Sequence, residues 1–334
     1  MNEKYVKILE LIEKSENILV TCHTRPDGDS CGCVSALCHI LKAKKKTVRP
    51  FLLTPFADWL KFLFDGIEPL ICGENASVEE LMAGRWADTD LVIIVDTNSR
   101  NQLPGFEKWL DAIECPVVVF DHHITGDGLG DVEVINTQAA SAGQVLCDFF
   151  DACGLEITQE TARSLFTSIA SDTGWFRFGN RNRGDVYRMA ARLIDIGLDP
   201  ADIYNRLYQQ SSFSRAKLTA RMLDSMELHF DGRVACQRIL QSDFDQTGAK
   251  GRDTEGLIQE PQKISSVEVA VLFIEQADGK FKCSMRSKGG INVREIAQKF
   301  GGGGHDLAAG ATFEIALPEA QKVILEEIRR QFFR

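Results

Sequence analysis

No apolar run in the 334 residues approaches the roughly 18 needed to span a membrane, which excludes a transmembrane helix. No CxxC occurs among the ten cysteines, and no two cysteine pairs have zinc-ribbon spacing. Most of them, such as Cys22, Cys38, Cys147 and Cys283, sit inside apolar segments and read as reduced core residues. Cys31 and Cys33 are set apart only by flanking a polar motif. An excess of basic charge is also missing. Net charge is −10, and it is carried by the first part of the chain: residues 1–215 hold 21 Lys+Arg against 31 Asp+Glu, while residues 216–334 hold 17 against 17. A chain this acidic is ill suited to a long nucleic-acid lattice, where many phosphates must meet Lys and Arg. It suits a small anionic substrate approached through metal ions. The opening stretch MNEKYVKILELIEKSEN mixes both charge signs and spaces Val6, Leu9 and Ile12 as a helix does; it lacks the pattern of an export signal, which points to the cytoplasm. Internal repeats and low-complexity tracts are absent.

What remains is ordinary globular material, 44% hydrophobic and 26% charged, in a chain long enough for two domains. Ile18–Cys22, Thr47–Leu53, Leu91–Val95 and Val117–Phe120 are short runs rich in Val and Ile without alternation, as in strands buried on both faces of a parallel sheet. Between and after them lie helical segments at Val34–Lys44, 142–153, 158–171 and 185–197. The expected class is α/β, with an N-terminal doubly wound parallel-sheet domain and a smaller C-terminal mixed-sheet α/β domain. Asp199-Pro200 opens a helical stretch over 200–226. The expected division is a first domain over 1–198, a helical linker over 199–225 and a second domain over 226–334. In the latter, strands are expected at Val234–Leu240, Val267–Ile274, Lys280–Met285 and Ala311–Ile315, helices at Val293–Phe300 and Pro318–Phe332, and a loop at Asp243–Glu260.

Three of the first-half strands run straight into metal-binding residue types. One ends at His23, one at Asp96 and one at Asp121-His122-His123. In open α/β sheets the ligand crevice lies beyond the carboxyl ends of the strands, so these ends converge. Asp27 and Asp29 follow His23 closely, and Asp172 follows the helix 158–171. Taken singly each has a plain reading: an acid at a strand end caps helices, and Asp27-Gly28-Asp29 is a turn sequence. A calcium loop is ruled out, because aligning Asp27 and Asp29 to its positions 1 and 3 puts Cys31 at position 5 and Cys38 at position 12. Jointly, carboxylates and imidazoles suit a hard to borderline divalent ion such as Mn²⁺ or Mg²⁺. Two such ions roughly 3.5–4 Å apart can clamp the two oxygens of a phosphoryl displacement.

The motifs H-T-R-P-D-G-D-S-C-G, V-D-T, D-H-H and S-D-T-G, in that order, resemble those of the DHH superfamily of phosphoesterases, and SMRSKGGINVREIAQKFGGGGHDLAAG resembles the accompanying DHHA1 domain. The likeness covers nearly the whole chain and is nearest to the RecJ-like, two-domain nanoRNase/pAp-phosphatase type. It implies two Mn²⁺ ions, with Mg²⁺ or Co²⁺ as substitutes: His23 and Asp27 on one, Asp29, His122 and Asp172 on the other, and Asp96 bridging. It places His123 near the scissile phosphate, with Asp121 orienting the adjacent imidazole. In the second domain it implies that Arg286, Ser287, Gly302, Gly303, Gly304 and His305 hold a substrate phosphate, with Lys282 and Lys288 adding general electrostatics. The implied substrates are short 5′-phosphorylated single-stranded oligoribonucleotides, cleaved to mononucleotides, and 3′-phosphoadenosine 5′-phosphate (pAp), with cyclic or linear dinucleotides as the alternative. Long duplexes and membranes are not expected partners; if the chain assembles, a homodimer is the commonest outcome. Two positions depart from the family pattern: Gly32-Cys33 stands where Gly-Ser is frequent, and Trp175 follows Asp-Thr-Gly where a small residue is common.

Overall fold

The computed structural model describes residues 2–177 and 183–333, and the chain divides into two compact units, Met1–Gln210 and Ser211–Arg334. In the first unit the elements are α1 (Glu3–Lys14), β1 (Asn17–Cys22), α2 (Gly28–Ala43), β2 (Thr47–Leu52), β3 (Leu70–Ile71), α3 (Val78–Met82), β4 (Leu91–Val95), α4 (Phe106–Leu110), β5 (Val117–Asp121), β6 (Val132–Ile135), α5 (Ala142–Ala152), α6 (Gln159–Asp172), α7 (Arg183–Asp195) and α8 (Pro200–Tyr208). The sheet is wholly parallel, in the order β3-β2-β1-β4-β5-β6. The strand order reverses between β1 and β4, and a crevice opens at such a switch point, beyond the carboxyl ends of the two strands. Both sheet faces are covered. Ile18, Val20, Ile93, Val95, Val118 and Phe120 pack with residues of α1, α2, α5 and α6, and Leu19, Phe51, Val92, Ile94 and Val119 pack with Phe106 and Trp109 of α4 on the other face. This double burial is why these strands read as unbroken apolar runs.

In the second unit α9 (Phe213–Asp224) precedes β7 (Glu227–His229), β8 (Val234–Ile239), α10 (Gln241–Thr247), β9 (Val269–Glu275), β10 (Phe281–Ser287), α11 (Val293–Lys299), β11 (Gly303–His305), β12 (Ala308–Phe313) and α12 (Leu317–Phe332). The sheet order is β11-β12-β10-β9-β8-β7; only β8 and β9 pair parallel, so the sheet is mixed as expected. Val269, Val271, Phe273, Cys283 and Met285 face the residues of α11 and α12, while Ala270, Leu272 and Ile274 face Leu218 and Met222 of α9.

Local boundaries differ from the sequence reading in instructive ways. The helix expected from Val34 begins at Gly28, because Asp27 caps it: its Oδ1 accepts the N–H groups of Asp29 (3.0 Å) and Ser30 (3.1 Å), and the Asp27 N–H donates to Ser30 Oγ at 2.9 Å. The stretch 200–226 is two helices, not one. Asp199 caps the first with Pro200 at its first position, and Ser212 Oγ starts a second by accepting the Arg215 N–H at 3.0 Å. Residues 243–260 are ordered, with α10 and short 3₁₀ turns that bury Ala249, Leu257 and Ile258 against the sheet. No disulfide joins the ten cysteines, and seven of them are buried in the cores, as their apolar sequence settings imply. No helix among the described residues is long and apolar enough to cross a membrane.

Candidate metal centre

The switch point carries the residues that the strand ends promised. His23 follows β1, and its Nδ1 lies 2.8 Å from the Thr24 carbonyl, which takes that N–H and turns Nε2 toward Asp27 and Asp96. A histidine that ligates a metal ordinarily has its second nitrogen tied down in this way. Asp96 follows β4 in a left-handed backbone conformation (φ 59°), is almost fully buried, and donates its N–H to the Phe120 carbonyl at 2.9 Å. A non-glycine residue held there costs about 1–3 kcal/mol, and such strain collects at functional sites. Asp121 closes β5, and its Oδ1 accepts the N–H groups of His122 (2.8 Å) and His123 (3.3 Å) and His123 Nδ1 (2.7 Å). Asp172 ends α6.

These side chains meet. His23 Nε2 is 3.3 Å from Asp96 Oδ2 and 3.8 Å from Asp27 Oδ1. His122 Nε2 is 3.5 Å from Asp96 Oδ1 and 3.7 Å from both Asp29 Oδ2 and Asp172 Oδ2. Among the described residues, three triads have potential ligand atoms all within 4.8 Å of one another: His23–Asp27–Asp96, Asp29–His122–Asp172 and Asp96–His122–His123. Asp96 belongs to two of them and faces both His23 and His122.

Four carboxylates against two imidazoles leave a surplus of negative charge, and the ionisation equilibria register it. Burial works against the charged form of His23, yet Asp27 and Asp96 outweigh it and push its pKa up to about 12. Burial opposes the charged form of His122 too, and Asp96, Asp29 and Asp172 raise it to about 9. Burial, with Asp96 and Asp172 close by, holds the Asp29 carboxyl well above the usual carboxylate range. Burial, countered by His122 and reinforced by Asp96 and Asp27, pushes Asp172 up to about 6. The Asp121 carboxylate raises the His123 pKa against the effect of burial. The donor set fits a divalent cation on a separate ground: Asp96 Oδ1 is buried and has no hydrogen-bond partner, a costly state that a cation removes. Asp121 Oδ2 is also buried and unpartnered.

Sequence reasoning did not find what holds Asp29. Its Oδ2 accepts the Ala142 N–H (2.8 Å); its Oδ1 accepts the Gly143 N–H (3.1 Å), the Cys33 thiol (3.5 Å) and the Ser168 hydroxyl. The signal was present as two complementary spacings. Gly28 and Gly32 of α2 face Ser164, Ser168 and Ser171 of α6: a Cβ at Gly32 would fall 2.5 Å from the Ser164 carbonyl oxygen, and one at Gly28 would overlap the Ser171 side chain. Cys33 thus touches the centre directly. Trp175 does not; its ring packs edge-on against Phe166 of α6 and against Tyr204 and Tyr208 of α8.

The expected phosphate-binding residues lie at one end of the second sheet. Arg286 pairs with Ala308, which pairs with His305, so the side chains of Arg286 and His305 share a face, two strands or about 10 Å apart. Arg286 is half-buried, its Nη1 donates to the Met285 carbonyl at 3.0 Å, and burial lowers its pKa. The Ser287 hydroxyl turns into its own loop, accepting the Gly289 N–H at 3.1 Å. Packing explains half of the glycine run. A Cβ at Gly302 would lie 2.8 Å from Ala311 Cα and overlap the Gly310 carbonyl, and one at Gly304 would lie 2.6 Å from Ala309 Cα. The N–H groups of Gly301 and Gly302 donate to Gln298 (3.2 Å) and Ala297 (2.9 Å), ending α11. Gly303 and His305 stay exposed.

An acidic-histidine cluster at the switch point of a doubly wound sheet, in a chain with a second, mixed-sheet unit, defines a class of α/β protein with a candidate divalent-metal site. The chain belongs to the DHH family: residues 17–170 match the model of the DHH family, N-terminal domain, and residues 231–331 match that of the DHHA1 domain. It is 30% identical over 335 residues to the bifunctional oligoribonuclease and PAP phosphatase NrnA of Thermus thermophilus, covering 99% of this chain and 95% of that protein. It is 25% identical over 332 residues to the cyclic-di-AMP phosphodiesterase PdeA of Listeria monocytogenes, covering 96% of this chain and 48% of that one. Among solved structures, an exopolyphosphatase-related protein from Bacteroides fragilis shares the fold with a TM-score of 0.91 at 24% identity, over 99% of this chain and 96% of that one. RecJ from Thermus thermophilus, in complex with Mn²⁺, does so with a TM-score of 0.59 at 16% identity, over 98% of this chain and 54% of that one.

Proposed function

We propose that this chain is a phosphohydrolase dependent on two divalent ions, Mn²⁺ by preference, which degrades short oligoribonucleotides to mononucleotides and removes a phosphate from pAp. The observation that carries it is the position of Asp96, facing His23 on one side and His122 on the other, with one unpartnered buried oxygen. His23, Asp27 and Asp96 would hold one ion, and Asp29, His122 and Asp172, with Asp96 shared, the other. When bound, such ions lower the pKa of water and offset charge on phosphoryl oxygens. The chain's own residues do the rest. Thr24 and Asp121 hold the His23 and His123 rings in one orientation. Asp121 accepts Nδ1–H and raises the His123 pKa, so the protonated ring presents Nε2–H as a donor to a phosphoryl oxygen or leaving group. On this reading residues 1–198 are the catalytic domain, 199–225 the helical connection and 226–334 the substrate domain. There Arg286 and His305, with Gly303 between open approaches and Ser287, Gly302 and Gly304 shaping the turn, grip a terminal phosphate. A cytoplasmic location belongs to the same proposal and fits the ten free thiols.

The test is product analysis with Mn²⁺ on di- to pentanucleotides, pAp, a cyclic dinucleotide and pyrophosphate. Mononucleotides from the short RNAs and AMP from pAp are expected. Faster turnover of the cyclic dinucleotide would favour the second reading, a cyclic-dinucleotide phosphodiesterase, which the likeness to PdeA supports. No product from any of them with Mn²⁺ would refute both.

A further inference from the structure

We propose that Ser168 is a positioning residue for the metal centre: its hydroxyl ties Asp29 on α2 to α6 and thereby sets the distance from Asp29 to Asp172, the two carboxylates that flank His122. The inference rests on the metal reading above and adds a determinant to it.

Asp29 sits on the first turn of α2 and is almost completely buried, a costly place for a carboxylate. Its donors come from three elements. Ala142 and Gly143 belong to the first turn of α5, whose partial positive charge suits an anion, but among the described residues α5 brings no member of the candidate centre. Cys33 belongs to α2 itself and is a weak donor. Ser168 is different, because it stands four residues before Asp172 on the same helix, and residues so spaced share a face. This hydrogen bond therefore ties Asp29 itself to the helix that carries Asp172, beside the Ser35–Ser164 hydrogen bond further along the same two helices.

The orientation of the carboxylate follows. Oδ1 is filled by Ser168, Gly143 and Cys33, while Oδ2, with one backbone donor, is the oxygen 3.7 Å from His122 Nε2. Removing the hydroxyl leaves Asp29 hydrogen-bonded but no longer tied to α6. The surroundings are shaped to admit the bond. A Cβ at Gly143 would overlap Ser168 Oγ, and one at Gly32 would lie 2.8 Å from Ser168 Cβ. The other contacts of the hydroxyl, to Ser141 Oγ at 3.4 Å and Cys33 Sγ at 3.8 Å, are long and neutral.

The experiment is Mn²⁺ titration of the full chain by calorimetry and by electron paramagnetic resonance, for the wild type, Ser168→Ala, and Ser168→Ala combined with Cys33→Ser. Cys33 Sγ already lies 3.5 Å from Asp29 Oδ1 and 3.8 Å from Ser168 Oγ, so the second variant offers Asp29 a stronger donor beside the lost one. Ser168→Ala is expected to weaken one of two ions about ten- to a hundredfold and leave the other within a few-fold, with little change in Tm. The double variant is expected to recover part of that loss. Two ions bound by Ser168→Ala with wild-type affinity, or both weakened alike alongside a fallen Tm, would overturn the assignment. A wild type that binds no Mn²⁺ would instead refute the metal reading itself, so the two failures are told apart.

Discussion

His23 Nε2 and Asp96 Oδ2 lie 3.3 Å apart at the ends of β1 and β4, the two neighbouring strands at which the order of the parallel sheet reverses. The strand order brings the two residues together although they lie 73 positions apart in the chain.

Asp96 is held at φ 59°, a conformation that Asn tolerates nearly as well, so Asp96→Asn keeps the backbone while removing a charge. It also relieves Asp29 and Asp172, whose pKa values Asp96 helps to raise. Phosphoesterase turnover measured with Mn²⁺ should fall at least about a hundredfold, beyond what loss of a supporting contact costs. The metal-free protein should stay folded, because relief of Asp29 and Asp172 offsets the attraction lost to protonated His23 and His122. Wild-type turnover in the pure variant would remove Asp96 from the centre.

Metal binding should release protons at pH 7. Without metal, Asp27 and Asp96 hold His23 protonated, with a pKa of about 12, whereas a ligating imidazole must be neutral. The sign is fixed: proton release on binding makes affinity rise with pH and fall as pH is lowered. Calorimetric heats of Mn²⁺ binding should therefore vary with the ionisation enthalpy of the buffer. Identical heats in phosphate-free buffers of high and low ionisation enthalpy would contradict it.

Glycines in packed and open places should separate by stability. Gly32→Ala drives a methyl to within 2.5 Å of the Ser164 carbonyl and 3.0 Å of the Ser168 nitrogen, backbone atoms that yield little. A loss of about 1–3 kcal/mol is expected from overpacking. Gly303→Ala meets nothing within 4 Å and should leave urea unfolding unchanged. The reverse ranking would mean that α2 and α6 do not pack as described.

Arg286→Ala should lower kcat/KM for phosphate-bearing substrates by roughly ten- to a hundredfold, the worth of one charged hydrogen bond or two. Because the guanidinium is half-buried with the Met285 carbonyl as its hydrogen-bond acceptor, Tm should not fall. Mn²⁺ affinity should match the wild type, since a guanidinium is a cation with donors only and cannot ligate a metal ion. Unchanged KM and kcat on every substrate would exclude it from binding.

The core strands were legible in the sequence because strands buried on both faces are continuous runs of Val, Ile and Leu, and their carboxyl ends mark where ligands must follow. Leu91–Val95 matches its strand to the residue. The start of α2 was not legible. Thirteen of its sixteen residues are buried, so it carries no polar stripe for a helical period to reveal, and its glycines and cysteines read as a turn. The short strand β11, Gly-Gly-His, has no strand propensity of its own and exists through its pairing with β12.

By itself, then, the sequence determined the α/β class, the parallel core of the first unit and the identity of the residues that converge beyond it, since local periodicity and strand ends are properties of neighbouring residues. The resemblance to the DHH family already implied how these residues group around Asp96; only the tertiary structure decided at what distances Asp96 faces His23 and His122, and that Ser168 and Gly143 clasp Asp29. Those relations join residues far apart in the chain through close packing, and close packing of helix on helix and strand on strand leaves little trace in the order of amino acids beyond a glycine where no side chain fits.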